Sequence, residues 1–273
     1  MSENLTIAGV KYYYQWVKKD SNQAKPVMVF VHGWAGSAKY WYSTAEILSD
    51  QFDCLLYDLR GFGRTGTSPN ADYELETYAQ ELYLLLNELG ISQVYLHGHS
   101  MGASIAALFL ADYPEKVTKA ILTCNGIFEY NKAAFSAFYF FGKYVVKLRY
   151  KWFLQIPLAD RLFMARFLAR PIPTGEYRAF LEDFLAADGD AALGTIYTCV
   201  SKKAVEIMPD KFAAISVPTL LIAGEKDQII PPKLGRAAAA LNQKIKYIEM
   251  KQTGHFPMLE DPQEYIKQVK DFL

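Results

Sequence analysis

Cysteine is scarce in this chain: Cys54, Cys124 and Cys199 are far apart and odd in number within 273 residues. That excludes a disulfide framework and a paired-cysteine metal site, and it favours reduced, mostly buried thiols in a reducing, cytoplasmic setting. An excess of either charge is also missing, since Lys+Arg and Asp+Glu both number 29. No global basic field therefore marks nucleic acid as a partner. The amino terminus, MSENLTIAGVKYYYQW, has no basic stretch followed by an apolar one, so no secretory signal is expected. Leu89 to Ala111 runs 23 residues without Asp, Glu, Lys or Arg, long enough to span a bilayer. Gly90, Gln93, His97, His99, Ser100 and Gly102 interrupt it, which fits a strand, a tight turn and a helix instead. What is abundant is apolar surface: 51% hydrophobic and 15% aromatic residues, enough to rule out a disordered chain.

The pattern of that surface alternates. Short, wholly apolar runs at Pro26–Val31, Cys54–Tyr57, Val94–Leu96, Ala120–Leu122 and Thr219–Ala223 suit strands buried on both faces of a parallel sheet. Between them, Leu75 to Leu89 places Tyr78, Leu82, Leu85, Leu86 and Leu89 on one helical face and ends at Gly90. Ahead of these lies an Ala8-Gly9 turn followed by Val10–Val17, the second arm of a hairpin. Strands alternating with helices predict a doubly wound α/β core. The alternation stops from about Ile127 to Ala214, where the periodicity is helical, and resumes at Val217. The expected organisation is a core of residues 1–126 and 215–273 with a helical cap, 127–214, inserted into it.

Gly98-His99-Ser100-Met101-Gly102 falls where a predicted strand ends and a helix begins. A G-x-S-x-G turn in that setting forces the serine into a strained conformation with its hydroxyl projecting above the sheet. A serine hydroxyl needs a base, and the base needs an orienting acid. Of four histidines, His32 is read as bracing its loop and His97 as a satisfied core residue. His99 is directed away from the hydroxyl by the elbow. His255, in a loop after the predicted last strand Ile245–Met250, is left as the base. Asp227 lies at the carboxyl end of a buried strand, where open α/β sheets gather their sites, and is preferred to Glu225 as the acid.

The chain resembles the α/β-hydrolase superfamily over essentially its whole length. The resemblance rests on Val31-His32-Gly33-Trp34, Tyr57-Asp58-Leu59-Arg60-Gly61-Phe62-Gly63-Arg64, Gly98-His99-Ser100-Met101-Gly102, Gly224-Glu225-Lys226-Asp227 and Gly254-His255-Phe256-Pro257. It implies an α/β-hydrolase fold, a mostly parallel sheet flanked by helices, with the triad Ser100, Asp227 and His255. It further implies an oxyanion hole made by the backbone N–H groups of Trp34 and Met101, and structural roles for Asp58 and Arg60. Thr65 stands where many relatives carry serine. Relatives that open epoxides or remove halide use an aspartate at the elbow, unlike Ser100, and cofactor-free perhydrolases typically have proline where this chain has Ala35. No metal or cofactor is implied: no metal-ligand cluster or phosphate-binding fingerprint is present.

The inserted segment shifts composition. Residues 131–170 hold eight Lys/Arg against one acid, Asp160, a net of +7 that the rest of a neutral chain must balance. Eleven aromatics share the same forty residues. Two readings stand: aromatics packed against the core and lining an acyl pocket beneath a solvated cationic face, or a lid resting peripherally on an anionic membrane. A transmembrane role is excluded because Ala133 to Gly142 gives only 10 uncharged residues in a row. His99 and Phe128 are the candidate substrate-lining residues. The expected activity is hydrolysis of a hydrophobic carboxylic ester or thioester through an acyl-enzyme. Carbon–carbon hydrolysis, a lyase reaction on a small carboxylated substrate, and a non-catalytic binding role on the same scaffold remain as alternatives.

Overall fold

A computed structural model describes residues 2–20, 24–69, 71–130 and 132–273. Asn131 and the side chains of Lys132 and Phe138, counted above in the basic, aromatic stretch, lie outside the described residues. The chain opens with a hairpin, β1 (Ser2–Ile7) and β2 (Val10–Val17), turned by Ala8 and Gly9 at φ of 48° and 79°. Two consecutive left-handed residues match the right-handed twist of paired strands. Then follow β3 (Val27–Val31), α1 (Tyr42–Leu48), β4 (Asp53–Tyr57), α2 (Leu75–Glu88), β5 (Val94–His99), α3 (Met101–Asp112) and β6 (Val117–Thr123). The insertion contributes α4 (Lys132–Lys147), α5 (Ala159–Met164), α6 (Thr174–Ala186) and α7 (Gly189–Cys199), then α8 (Lys202–Ala214). The core resumes with β7 (Thr219–Gly224), α9 (Pro232–Ala240), β8 (Ile245–Met250), α10 (Pro257–Glu260) and α11 (Pro262–Phe272).

The eight strands form one sheet in the order β1-β2-β4-β3-β5-β6-β7-β8. The pairings of β1 with β2 and of β2 with β4 are antiparallel, and every other pairing is parallel. Side chains alternate across the central strands as strand geometry requires. Met28 and Phe30 face one core with Cys54, Leu56 and Ile222, and Val29 and Val31 face the other with Leu55, Tyr57 and Leu221. Burial on both faces explains why these strands read as uninterrupted apolar runs. Helix α2 ends in a Schellman motif: Gly90, at φ 67°, donates to Asn87 O, and Ile91 donates to Leu86 O.

The order in which strands are added reverses between β3 and β5, which is the point where open α/β sheets leave a crevice beyond their strand ends. The loop after β3 and the turn after β5 meet there. Between β6 and β7 the described chain is helical, but α8 packs on α3 and α9 in the layer against the sheet. Its Met208 and Phe212 are buried in the same core as Leu96 and Leu122. The cap expected to extend to residue 214 thus yields α8 to the core, because that helix's apolar face has α3 to bury against. Among the described residues no helix is long and apolar enough to cross a membrane.

Candidate active site

The turn from β5 to α3 puts Ser100 at φ 54° and ψ −122°, a region that residues with a Cβ seldom occupy. Its neighbours explain why the strain persists. A Cβ on Gly98 would lie 2.6 Å from Gly102 O, and one on Gly102 would lie 2.4 Å from His32 O. Only hydrogen fits at either position, so strand and helix close tightly on the serine between them. Its N–H donates to Thr123 O at 2.9 Å, and its carbonyl accepts from Asn125 Nδ2 at 3.1 Å.

The loop after β8 brings His255 to this hydroxyl, with Nε2 3.0 Å from Ser100 Oγ. On the other side of the ring, Nδ1 lies 2.7 Å from Asp227 Oδ2. An ionised carboxylate only accepts, so Nδ1 carries the proton and Nε2 is left to accept from the serine O–H. Asp227 Oδ1 accepts the N–H groups of Ile229 and Ile230 at 2.8 and 3.0 Å. Burial by itself would raise the Asp227 carboxyl, but His255 and these N–H donors outweigh it and hold the group below its ordinary value. Glu225, the rival acid, is bonded to the Gln252 N–H and Lys251 on the surface.

The loop after β3 supplies the other wall. A Cβ on Gly33 would come within 3.1 Å of Ser100 Cβ, so the following residue, Trp34, stands beside the nucleophile's turn. Among the described residues neither the Trp34 N–H nor the Met101 N–H has an acceptor, the latter because it opens α3. The loop is fastened to the insertion: Trp34 Nε1 donates to Ala192 O at 2.9 Å, and Ser37 Oγ to Asp183 Oδ2 at 2.6 Å.

His99 has a different place from the substrate-lining one expected of it. It is fully buried, with Nε2 2.7 Å from His255 O and Nδ1 3.0 Å from the Tyr40 hydroxyl. Because a carbonyl only accepts, Nε2 carries the proton, Nδ1 accepts from Tyr40 O–H, and the Tyr40 oxygen accepts the Gly33 N–H. One directed chain of hydrogen bonds thus runs from the loop after β3 to the backbone of His255. No ring nitrogen of His99 is left for a substrate. Burial, then the neighbouring His255, hold its imidazole well below the ordinary value. Phe128 lies half-buried in the segment between β6 and α4. His32 and His97 are buried as well: His32 Nε2 accepts the Leu59 N–H, and His97 Nε2 contacts the Tyr265 hydroxyl. Asp58 accepts from Ala38 N and Arg64 N, and Arg60 pairs with Glu81 at 2.6 Å.

Two features of the site escaped the reading of the sequence. Glu260 lies buried behind His255 and accepts four backbone N–H groups, those of Ala169, Arg170, Gly254 and Phe256, at 2.7–3.1 Å. It clamps the histidine loop to the insertion, and His255 N–H adds a bond to Phe167 O at 2.7 Å. The second feature is aromatic. Ring contacts pass from Trp34 to Phe184, Phe163, Phe167 and His255, with centroids 5.9, 4.8, 5.8 and 6.1 Å apart in turn. The insertion therefore lays an apolar rim from one side of Ser100 to the other. His99, Cys124 and His255 are the one cluster of three potential metal ligands among the described residues. Both ring nitrogens of each histidine already have protein partners, so the set fits the hydrogen-bond network and not an ion.

A mostly parallel eight-stranded sheet, a strained serine at its switch point and a histidine–carboxylate pair beyond its last strands define one class. The chain belongs to the alpha/beta hydrolase fold family, whose model matches residues 26–262. It is 26% identical over 275 residues to the uncharacterized hydrolase YugF of Bacillus subtilis, covering 98% of this chain and 96% of that one. It is also 26% identical over 286 residues to Lipase 1 of Psychrobacter immobilis, covering 99% and 83% of the two chains. Among solved structures, the esterase EaEST from Exiguobacterium antarcticum superposes with a TM-score of 0.83 at 20% identity, covering 100% and 99%. At that identity the likeness is one of fold.

Proposed function

We propose that the protein is a serine hydrolase that cleaves a carboxylic ester or thioester with a hydrophobic acyl group, through an acyl-enzyme. The observation that carries this reading is the bonded series Ser100–His255–Asp227 beneath the aromatic rim. Ser100 Oγ attacks the carbonyl carbon as its proton passes to His255 Nε2. The resulting imidazolium is stabilised by Asp227, whose depressed pKa keeps it ionised. The carbonyl oxygen gains negative charge and is met by the N–H groups of Trp34 and Met101. His255 then protonates the leaving group, and a water activated by the same nitrogen releases the acid.

The aromatic rim favours an acyl chain over a sugar or nucleotide. The reading of a small carboxylated substrate needs a free cation near Ser100. Arg149 donates to Phe184 O and Ala187 O, and Arg170 pairs with Asp261, so neither of these two is free to hold a carboxylate. The three free thiols, each raised by burial, fit a reducing, cytoplasmic setting. The test is hydrolysis of p-nitrophenyl esters of increasing acyl length together with labelling by a fluorophosphonate. The expected result is a preference for medium chains, with label and activity both lost in Ser100→Ala. Loss of the residue that forms the acyl-enzyme should cost several orders of magnitude in kcat. Activity surviving in that variant, or a strict preference for acetate, would refute the proposal.

A further inference from the structure

Eleven of the fourteen large hydrophobic side chains most exposed among the described residues fall between residues 130 and 162. Soluble surfaces scatter such residues singly, so their concentration in one stretch calls for a partner. Helix α4 shows how it arises. Phe135, Gly142 and Val146 are buried on one side, Gly142 close against Ile196 of α7, and the Tyr139 ring meets that of Tyr197 at a tilt. At 100° per residue, Phe140, Phe141, Tyr144, Val145 and Leu148 fall on the opposite side, and all five are about half exposed or more. Among the described residues the helix is apolar on both faces, and one of them stays about half open to solvent. The chain that follows extends the surface with Trp152, Leu158 and Leu162, the last 80% exposed.

Charge identifies what would cover this face. Lys143 and Lys147 line one edge of the exposed stripe, with Lys143 Nζ 4.9 and 5.0 Å from the rings of Phe140 and Tyr144. Lys151, Arg161 and Arg166, all three exposed, continue it, and the one acid of residues 131–170, Asp160, accepts the Arg161 backbone N–H. A second copy of the chain would set this cationic face against itself. Aliphatic Val145, Leu148, Leu158 and Leu162 offer nothing for bases to stack on. Interfacial aromatics and aliphatics edged by lysine match an anionic bilayer, where rings sit at headgroup depth and cations meet lipid phosphate.

We propose that the α4–α5 face of the insertion docks on the surface of an anionic lipid membrane. The contact is peripheral, with Phe141, Trp152 and Leu162 entering the headgroup region and Lys143 and Lys147 pairing with lipid phosphate. It places the mouth framed by Phe163 and Phe167 next to the bilayer.

Full-length protein is mixed with vesicles of phosphatidylcholine alone or with one third phosphatidylglycerol, and binding is read by co-sedimentation. The expected partition coefficient is at least about tenfold higher on the anionic vesicles and falls as salt is added. The double variant K143E/K147E should bind them about tenfold more weakly or worse. F141S/L162S should lose binding while keeping the wild-type unfolding midpoint, because both side chains are exposed in the free protein. Brominated lipid should quench the wild-type tryptophan emission and spare W152F. Absence of binding to the anionic vesicles, equal binding by K143E/K147E, or a stable dimer in sedimentation that F141S/L162S dissolves would each overturn the proposal. Ser100→Ala should bind like wild type, so this surface and the chemistry proposed above fail or stand separately.

Discussion

Lowering the pH from 7 to 5 sets the hydrogen ion against three histidines that the fold buries in neutral form. His32 Nε2 accepts the Leu59 N–H, His99 Nδ1 accepts from Tyr40, and His97 stacks on Phe30 beside the Tyr265 hydroxyl. A proton on His32 or His99 would replace an accepted hydrogen bond with a clash of donors, and burial lowers all three pKa values, His97 to about 3. In the unfolded chain each titrates near 6.5. A folded pKa below the unfolded one means that the unfolded state binds more protons, so stability is complete above about pH 6.5 and drains as pH falls. For His97 the loss between pH 7 and pH 5 is about 2 kcal/mol, and three such groups set a ceiling of about 6 kcal/mol. That is comparable to the whole stability of many domains. Asp227 does not confuse the window: its depressed carboxyl contributes stability that is lost only below about pH 4. Urea unfolding followed by circular dichroism at pH 7, 6 and 5 measures the effect. The midpoint should drop steadily, and His97→Gln, which can still bond Tyr265, should flatten the slope. A midpoint that does not move between pH 7 and 5 would refute the reasoning.

Two further outcomes test the frame of the site. Gly102→Ala would place a methyl 2.4 Å from His32 O and 2.5 Å from Val31 O, both backbone atoms. It should cost more than about 3 kcal/mol in a urea titration, while Gly175→Ala, with nothing within 4 Å, stays near wild type. Glu260→Gln puts amide hydrogens against backbone donors at Ala169, Arg170, Gly254 and Phe256. We expect a loss of about 2 kcal/mol and a lower kcat with little change in KM, since His255 sits between two of the residues it holds.

Local chemistry made much of this molecule legible in advance. Buried strands announce themselves as Val27–Val31 and residues 220–223 do, because both faces are covered and apolar side chains fill them. The elbow around Ser100 was readable for the same reason: two glycines are the only residues that fit. Asp227 and His255 could be paired by chain order, and their place at strand ends did the rest. Features built from distant contacts were not visible. Nothing local separates Glu260 from the half-buried acids Asp261 and Glu264 near it, and its full role arises only when residues 169 and 170 reach it from the insertion. The buried place of His99 is equally invisible locally, since its partners, Tyr40 and the His255 carbonyl, lie 59 and 156 residues away. Phe163, Phe167 and Phe184 hid among many aromatics until the insertion folded. Helix α8 had the same periodicity as the cap helices, and only the neighbour it buries against distinguishes it.

Among the described residues the fastenings of the insertion to the frame of the site lie on two flanks. Trp34 and Ser37 stitch α6 and α7 to one flank, while Glu260, Asp261 and the His255 N–H stitch residues 167–170 to the other. Swinging the whole insertion aside like a door would tear both seams and pull His255 and Trp34 out of place. Helix α4 is sewn to α7 instead, through Tyr139 and Gly142. A gap opening along that hem would leave the hydrogen bonds that hold Trp34 and His255 intact.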